Sequence, residues 1–211
     1  MKTRNKTKDL VMLSLFSALI IVLATVPGIG YIPLGVINAT TMHIPVIIGS
    51  ILLGPKKGAF LGGIFGLTSF LKATFTPNLT SFVFTPFYSL SPEYHGNMWS
   101  ILICFLPRIL VGIVPYYINY IITKKNTKKE NILSLSIASF LGSMTNTLLV
   151  MNMIYIFFGK SYGAASGVSG GIYAAISAVI ITCGIPEAIV ASIISTVLCK
   201  ALIPLTRKFH S

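Results

Sequence analysis

The chain has 211 residues, of which 54% are hydrophobic and 9% charged, and its mean hydropathy is +0.85. A typical soluble domain carries about 25% charged residues, so this composition excludes a soluble globular protein. It predicts an integral membrane protein that forms one domain over residues 1–211. The net charge of +12 lies in short basic runs between apolar segments. Such runs indicate membrane topology and contact with lipid, with no nucleic-acid partner.

Six apolar segments follow one another along the chain, and a spanning helix needs about 20 such residues. The first segment ends at Pro27-Gly28, and the second, which is the shortest, ends at Gly54-Pro55. The first also has the basic start of a signal peptide, but we count it as a helix because every later segment needs a membrane too. We therefore predict an all-α membrane bundle of six transmembrane helices over about residues 9–27, 40–54, 58–74, 98–123, 132–158 and 173–203.

The basic residues also predict the orientation of these helices. With the N-terminus inside, six spans return the C-terminus inside, so both termini are cytoplasmic. Of the 16 basic residues, 13 then lie on the cytoplasmic side, all except Lys72, Arg108 and Lys160, as the positive-inside rule requires. The long external segment 75–97 is rich in aromatic residues. It is either a lid over a binding site or an interfacial aromatic belt.

Two ionisable residues lie near the middle of predicted helices, and each directly follows a proline. They are Arg108 in the fourth helix and Glu187 in the sixth. A charge at this depth is costly, so such residues are functional candidates. They pair with each other across the bundle, or Arg108 binds an anionic substrate while Glu187 orients it or accepts a substrate hydroxyl, or they contact a partner protein. In each helix the proline frees a backbone carbonyl that a nearby side chain can satisfy.

Other polar residues of the predicted helices and external loops allow two interpretations each. Lys72 either extends to the membrane interface or adds positive charge at a pocket mouth. Asn146 and Asn152 do not share a helix face, and each either joins helices or bonds a polar substrate. His43 and Asn38, on the external side between the first two helices, are either structural residues or ligand contacts.

Enzyme signatures are absent from the sequence. It contains no HExxH, GxSxG or Walker A motif, and its three histidines do not form a metal constellation. We expect no catalytic residue, no metal and no cofactor, so any ATP hydrolysis needs another subunit.

Small residues four positions apart predict two faces of close helix packing. Ser14 and Ala18 form one on the first helix, while Gly58, Gly62 and Gly66 form one on the third. Each face packs inside the bundle or docks a second membrane protein.

The order of these features resembles the substrate-binding S components of energy-coupling factor (ECF) transporters. The similarity rests on "HIPVIIGSILLGPKKGAFLGGIFGLTSFL", "PRILVG" and "IPEAIVA", and it spans nearly the whole chain. The resemblance implies a subunit that captures a vitamin outside the cell with high affinity, beneath its external loops. It also implies a transmembrane coupling subunit, docked on Ser14 and Ala18, and two ATP-binding cassette ATPases. The docking motif of the family usually has alanine at both ends, and Ser14 departs from that pattern.

Within the family, "TTMHIPVIIG", "TSFVFTPF" and "SMTNTLLVM" are similar to the pantothenate-specific members. The resemblance implies that Arg108 holds the vitamin's carboxylate, that amide and imidazole groups bond its polar atoms, and that aromatic rings close over it. The expected binding residues are Arg108, Asn146, Asn152, His43, Asn38, Phe84, Tyr88, Glu187 and Lys72. Folate, riboflavin and niacin stay open as ligands. A stand-alone secondary transporter or channel gated by Arg108 and Glu187 stays open as well.

Overall fold

Long apolar helices build the structure, a computed structural model that describes residues 2–26, 28, 30–34, 37–92, 94–125, 131–167 and 171–210. Within these ranges the side chains of 2–6, 31–34, 37–39, 125 and 205–210 are left undescribed. The elements in chain order are α1 (Lys2–Thr25), β1 (Tyr31–Leu34), β2 (Ile37–Thr40), α2 (His43–Leu53), α3 (Pro55–Phe75), a 3₁₀-helix (Ser81–Val83), α4 (Met98–Val111), α5 (Val114–Lys125), α6 (Ile132–Ala165), α7 (Ile172–Val179), a π-helix (Ile180–Gly184) and α8 (Ile185–His210).

Five stretches of the described residues are long and apolar enough to cross a membrane. They are Thr7–Thr25, Pro55–Phe75, Met98–Lys124, Ile132–Ala165 and Ile172–Pro204. The prediction of an all-helical membrane bundle is therefore confirmed. The predicted second span corresponds to the 11 residues of α2, which is only about 16 Å long, half the thickness of the hydrocarbon core. Helix α2 lies inside the bundle against α3 and α8, and all its residues from His43 to Ile51 are buried.

Several element bounds differ from the predicted segments. The predicted segment 98–123 is divided by a turn at Gly112 and Ile113 into α4 and α5. Helix α6 continues to Ala165, beyond the predicted end at 158, through a kink where Phe158 has φ −133° and ψ 16°. The predicted sixth segment includes the π-helix, and the first external segment contains an antiparallel hairpin in which Tyr31 pairs with Thr40.

Glycines of α3 determine how closely α4 approaches it. A Cβ atom at Gly58 would overlap the carbonyl oxygen of Gly112, and one at Gly62 would overlap the carbonyl oxygen of Arg108. A Cβ atom at Gly66 would lie 2.9 Å from the ring of Phe105. The glycine face of α3 is thus used for packing inside the bundle, and it brings the Arg108 backbone directly against α3.

Helix α1 packs against α2 and α3 at the edge of the bundle. The Lys57 ammonium contacts the Asp9 carboxylate, which joins the beginnings of α3 and α1. Ser14 and Ala18 are both exposed, and the Ser14 hydroxyl donates to the Leu10 carbonyl at 2.9 Å. The small residues of α1 therefore lie on the outside of the bundle, in contrast to the glycines of α3.

Candidate functional site

A cavity lies between the C-terminal half of α3, the end of the hairpin, α4, α6 and the π-helix with the start of α8. The centre of a water molecule can occupy about 120 Å³ of it, whereas holding one water takes about 10–15 Å³. The cavity therefore has room for a small organic molecule. Its charged and amide-bearing wall residues are Lys72, Asn78, Arg108, Asn146 and Glu187.

Arg108 reaches this cavity from an unusual turn of α4. Pro107 lies inside the helix and lacks an N–H, so it cannot bond the carbonyl four residues earlier, that of Ile103. The Arg108 Nη1 atom donates to that carbonyl at 2.8 Å. The guanidinium carbon lies 4.9 Å from the Phe84 ring centroid and 5.7 Å from that of Phe65, within the range of a cation–π contact. Arg108 is only 6% exposed.

The charge of Arg108 has no carboxylate partner in the described part of the chain. The acid–base contacts found there join the His43 imidazole to Glu187 and the Lys57 ammonium to Asp9. The Nε atom of Arg108 is buried and has no hydrogen-bond partner among the described residues. The direct pairing of Arg108 with Glu187, one of the interpretations from the sequence, is therefore not formed. The Glu187 carboxyl lines the same cavity but is not in contact with Arg108. A buried cation that no carboxylate contacts is costly, so this site favours an incoming anion.

Glu187 is held by other groups. Its Oε1 atom accepts hydrogen bonds from the backbone N–H and the hydroxyl of Thr40, both at 3.2 Å. The Nδ1 atom of His43 lies 3.3 Å from the same oxygen. On the other side of the imidazole ring, Nε2 lies 3.1 Å from the Ser143 hydroxyl. This chain of contacts joins the end of the hairpin, α2, α6 and α8 beside the cavity.

The first part of segment 75–97, which the sequence predicts to be external, forms another wall. The Asn78 side-chain oxygen accepts from the Thr80 N–H at 3.3 Å and from the Ser81 hydroxyl at 2.8 Å. These bonds favour a turn that leads into the buried 3₁₀-helix and places all three residues, with Phe84, at the cavity. Further along the segment, Phe87 is 76% exposed. Among the described residues of this segment, those that line the cavity lie between Thr76 and Phe84.

The π-helix forms a further part of the cavity wall. Cys183 and Gly184 line the cavity, and a Cβ atom at Gly184 would lie 2.6 Å from the Thr147 methyl group of α6. Short π-helical turns inside α-helices frequently occur at functional sites. The absence of a side chain at Gly184 thus lets the two helices meet where both contribute wall residues.

Part of the predicted binding set lines the cavity. These residues are Lys72, Phe84, Arg108, Asn146 and Glu187. Lys72 is partly buried near the end of α3. The side-chain oxygen of Asn146 is buried and unpartnered within the ranges that the structure describes. A donor on a bound molecule would satisfy it.

The other predicted residues lie outside the cavity wall or cannot be placed. His43 is 1% exposed and contacts Glu187, which does line the cavity. Asn152 donates to the Leu148 carbonyl of its own helix at 2.7 Å, and Tyr88 packs against an apolar cluster that includes Phe82. The side chain of Asn38 lies outside the described residues.

The cavity also contains residues that the sequence reasoning missed. They are Thr40, Ser69, Thr76, Asn78, Thr80, Ser81, Thr147, Tyr162 and Cys183. The turn pattern Asn78–Ser81 and the neighbouring Gly184 and Pro186 were signals in the sequence. The isolated threonines carried none, because a hydroxyl on an apolar helix usually bonds its own backbone.

Comparison with known proteins agrees with the family that the sequence resembles. A sequence profile described as "ECF transporter, substrate-specific component" matches residues 8–199. The chain is 39% identical over 201 residues to the "Pantothenic acid transporter PanT" of Lactococcus lactis subsp. cremoris (strain MG1363), which covers 94% of this chain and 95% of that protein. It is 36% identical over 116 residues to the "Pantothenate transporter PanT" of Leuconostoc mesenteroides subsp. mesenteroides, covering 53% of this chain and 50% of that protein.

The profile match confirms the family predicted from the sequence. Members of this family are substrate-binding subunits of membrane transporters. The chain is accordingly a multi-pass protein of the cell membrane and a binding subunit, not an enzyme. This family assignment excludes the alternative of a stand-alone transporter or channel. The chain belongs to the family of ECF transporter substrate-specific components.

Proposed function

We propose that this subunit captures pantothenate on the external side of the cell membrane. The observation that carries the proposal is the buried guanidinium of Arg108, which lines the cavity and has no carboxylate partner in the described ranges. The names of two relatives support it, one of which aligns over nearly the whole chain. Pantothenate offers one carboxylate for this cation.

The rest of the cavity suits the remaining groups of pantothenate, an amide and two hydroxyls. The Asn146 oxygen can accept a hydrogen bond from one of them, and the Thr147 hydroxyl can donate or accept. Val150, Met151 and Ile154 provide an apolar wall for its methyl groups. Riboflavin and folate carry large fused rings, and niacin has a carboxylate but no hydroxyl. Pantothenate therefore matches this combination of a cation, hydrogen-bonding groups and a small apolar wall.

The proposed topology has six membrane segments and cytoplasmic termini, with α2 as the short second segment. The contact between Asp9 and Lys57 joins the beginnings of α1 and α3 at one side of the bundle. The cavity is at the opposite end of α3, where Lys72 and Thr76 line it. With the basic residues 56 and 57 in the cytoplasm, the cavity opens toward the outside.

The proposed partners follow from membership in the family. A transmembrane coupling subunit would dock on the exposed face of α1 that carries Ser14 and Ala18. Two ATP-binding cassette ATPases would hydrolyse ATP, because this chain lacks a nucleotide-binding motif. Neither a cofactor nor a metal is part of the proposal.

The test is isothermal titration calorimetry of the purified chain with pantothenate, riboflavin, folate and niacin. We expect tight binding of pantothenate alone. Asn146→Ala should weaken it, whereas the matched Asn152→Ala on the same helix should not, because only Asn146 lines the cavity. Tight binding of another of these vitamins would overturn the ligand and leave the family assignment intact.

A further inference from the structure

We infer that Pro107 is a positioning residue that orients the Arg108 guanidinium for an anionic ligand. The inference rests on the proposed function, because it concerns the cation that would hold the carboxylate. Pro107 is buried within α4 and is not among the cavity wall residues of the described chain. Its contribution would therefore act through Arg108.

The backbone of α4 lacks one of its regular hydrogen bonds at Pro107. In a regular α-helix the N–H of residue 107 would donate to the carbonyl of residue 103. Proline has no N–H, so the Ile103 carbonyl is left without its helical partner. The Arg108 Nη1 atom lies 2.8 Å from this oxygen and takes the place of the missing donor. A buried carbonyl that loses its helical partner strongly favours such a replacement.

Several contacts restrict the guanidinium of Arg108. An arginine side chain has several rotatable bonds, and ordering them on binding lowers affinity. Here one end of the guanidinium is bonded to Ile103, and its carbon lies 4.9 Å from the Phe84 ring centroid and 5.7 Å from that of Phe65. The Phe65 ring is fully buried, so it forms a rigid support. These contacts hold the cation in place before any ligand arrives.

The missing N–H of Pro107 and the fixed position of the Arg108 guanidinium are therefore linked. If residue 107 had an N–H, the backbone would satisfy the Ile103 carbonyl. That carbonyl would then no longer hold the Arg108 side chain against its own helix. The cation would stay in the cavity region but would sample other rotamers. Binding of a carboxylate ligand would then carry the entropic cost of ordering the guanidinium. The affinity of a neutral ligand would not change, because it does not use this cation. The loss of affinity should therefore occur only for ligands that carry the anionic group.

The experiment compares Pro107→Ala with the intact chain, using pantothenate and its neutral alcohol analogue pantothenol as ligands. The variant restores the N–H and should weaken pantothenate binding about tenfold, the scale of a hydrogen bond to a charged group. Pantothenol affinity should change less than about twofold. The matched control is Pro204→Ala, which removes an exposed proline from inside α8 and should leave both affinities unchanged.

A second measurement separates positioning from a general effect on the fold. In an Arg108→Ala background, Pro107→Ala should cause no further loss of pantothenate affinity, because the group through which it acts is gone. Pro107→Val also restores the N–H and should repeat the result if the alanine variant fails to fold. If Pro107→Ala and Pro107→Val both keep the preference of the intact chain for pantothenate over pantothenol, the inference is overturned and the proposed function stands. An intact chain that binds pantothenate no better than pantothenol would overturn both.

Discussion

Two places in the molecule share one local pattern, a proline followed by an ionisable residue within an apolar helix. At Pro107-Arg108 the side chain turns back to a carbonyl of its own helix. At Pro186-Glu187 the side chain reaches across to Thr40 of the hairpin. The pattern alone therefore does not determine how the charge is satisfied.

The two places differ in how much hydrogen-bonding capacity each charged group has left unused. Glu187 Oε1 is surrounded by donors from Thr40 and His43, so the protein itself fills its hydrogen-bonding capacity at that atom. Arg108 keeps a buried Nε without a partner, as far as the described residues show. We infer that Arg108 remains available to bind a ligand, whereas Glu187 mainly holds the hairpin in place beside the cavity. The following variants test that contrast.

Arg108→Ala should have the largest effect on binding. Losing a buried charged hydrogen-bond partner costs about 2–5 kcal/mol, so pantothenate affinity should fall about 30-fold or more. Calorimetry on the detergent-solubilised variant measures this. Arg108→Lys keeps the charge without the planar fork and should give an intermediate value. A folded alanine variant that binds pantothenate like the intact chain would contradict the assignment of Arg108.

Gly62→Ala tests whether the position of Arg108 depends on the glycine face of α3. The added methyl group would overlap the Arg108 carbonyl oxygen, so we expect a loss of about 1–3 kcal/mol in stability together with weaker binding. Thermal unfolding and calorimetry measure the two effects. The neighbouring Gly63→Ala is the control, because its Cβ would meet nothing within 4 Å in the described part of the structure. Equal melting temperatures for the two variants would show that this contact does not matter.

Glu187→Ala should separate anchoring from ligand recognition. It removes the acceptor of both Thr40 hydrogen bonds, so we expect a loss of about 1–2 kcal/mol in stability. Pantothenate and pantothenol should lose affinity by the same factor, since the hairpin borders the cavity for either ligand. Their affinity ratio in calorimetry is the measurement. A change in that ratio as large as the one in Arg108→Ala would indicate instead that Glu187 directly contacts the carboxylate end of pantothenate.

Ser143→Ala should have the smallest effect. It removes the hydroxyl 3.1 Å from His43 Nε2 and should cost about 1 kcal/mol in stability with little change in affinity. Thr145→Ala is the control on the same helix, because its hydroxyl bonds only the Leu141 carbonyl of α6 in the described contacts. The difference in melting temperature between the two variants measures the contribution of the His43 contact. A difference of zero would show that this contact does not stabilise the anchor of Glu187.

The sequence was a good guide to the membrane helices and a partial guide to the site. The charge of Arg108 within an apolar stretch was enough to identify it as a candidate, because an intramembrane cation needs a partner. Asn146 and Asn152 illustrate the limit. Both are amides on α6, but only Asn146 lines the cavity, and the direction of the cavity is set by the packing of α4 and α8 around α6. Thr40 was missed because its role depends on Glu187, 147 positions away in the chain.

By itself the sequence determined the membrane location, the apolar helices and the family, since these depend on composition, local hydrophobicity and an ordered set of motifs. It also determined that the Ile103 carbonyl would need a donor from outside the regular helix, because Pro107 cannot supply one. Only the tertiary structure decided that Arg108 supplies that donor and that Glu187 turns to the hairpin instead of to Arg108. The physical reason is that a buried polar side chain bonds the groups that lie within its reach, and which groups are within reach depends on how the helices pack.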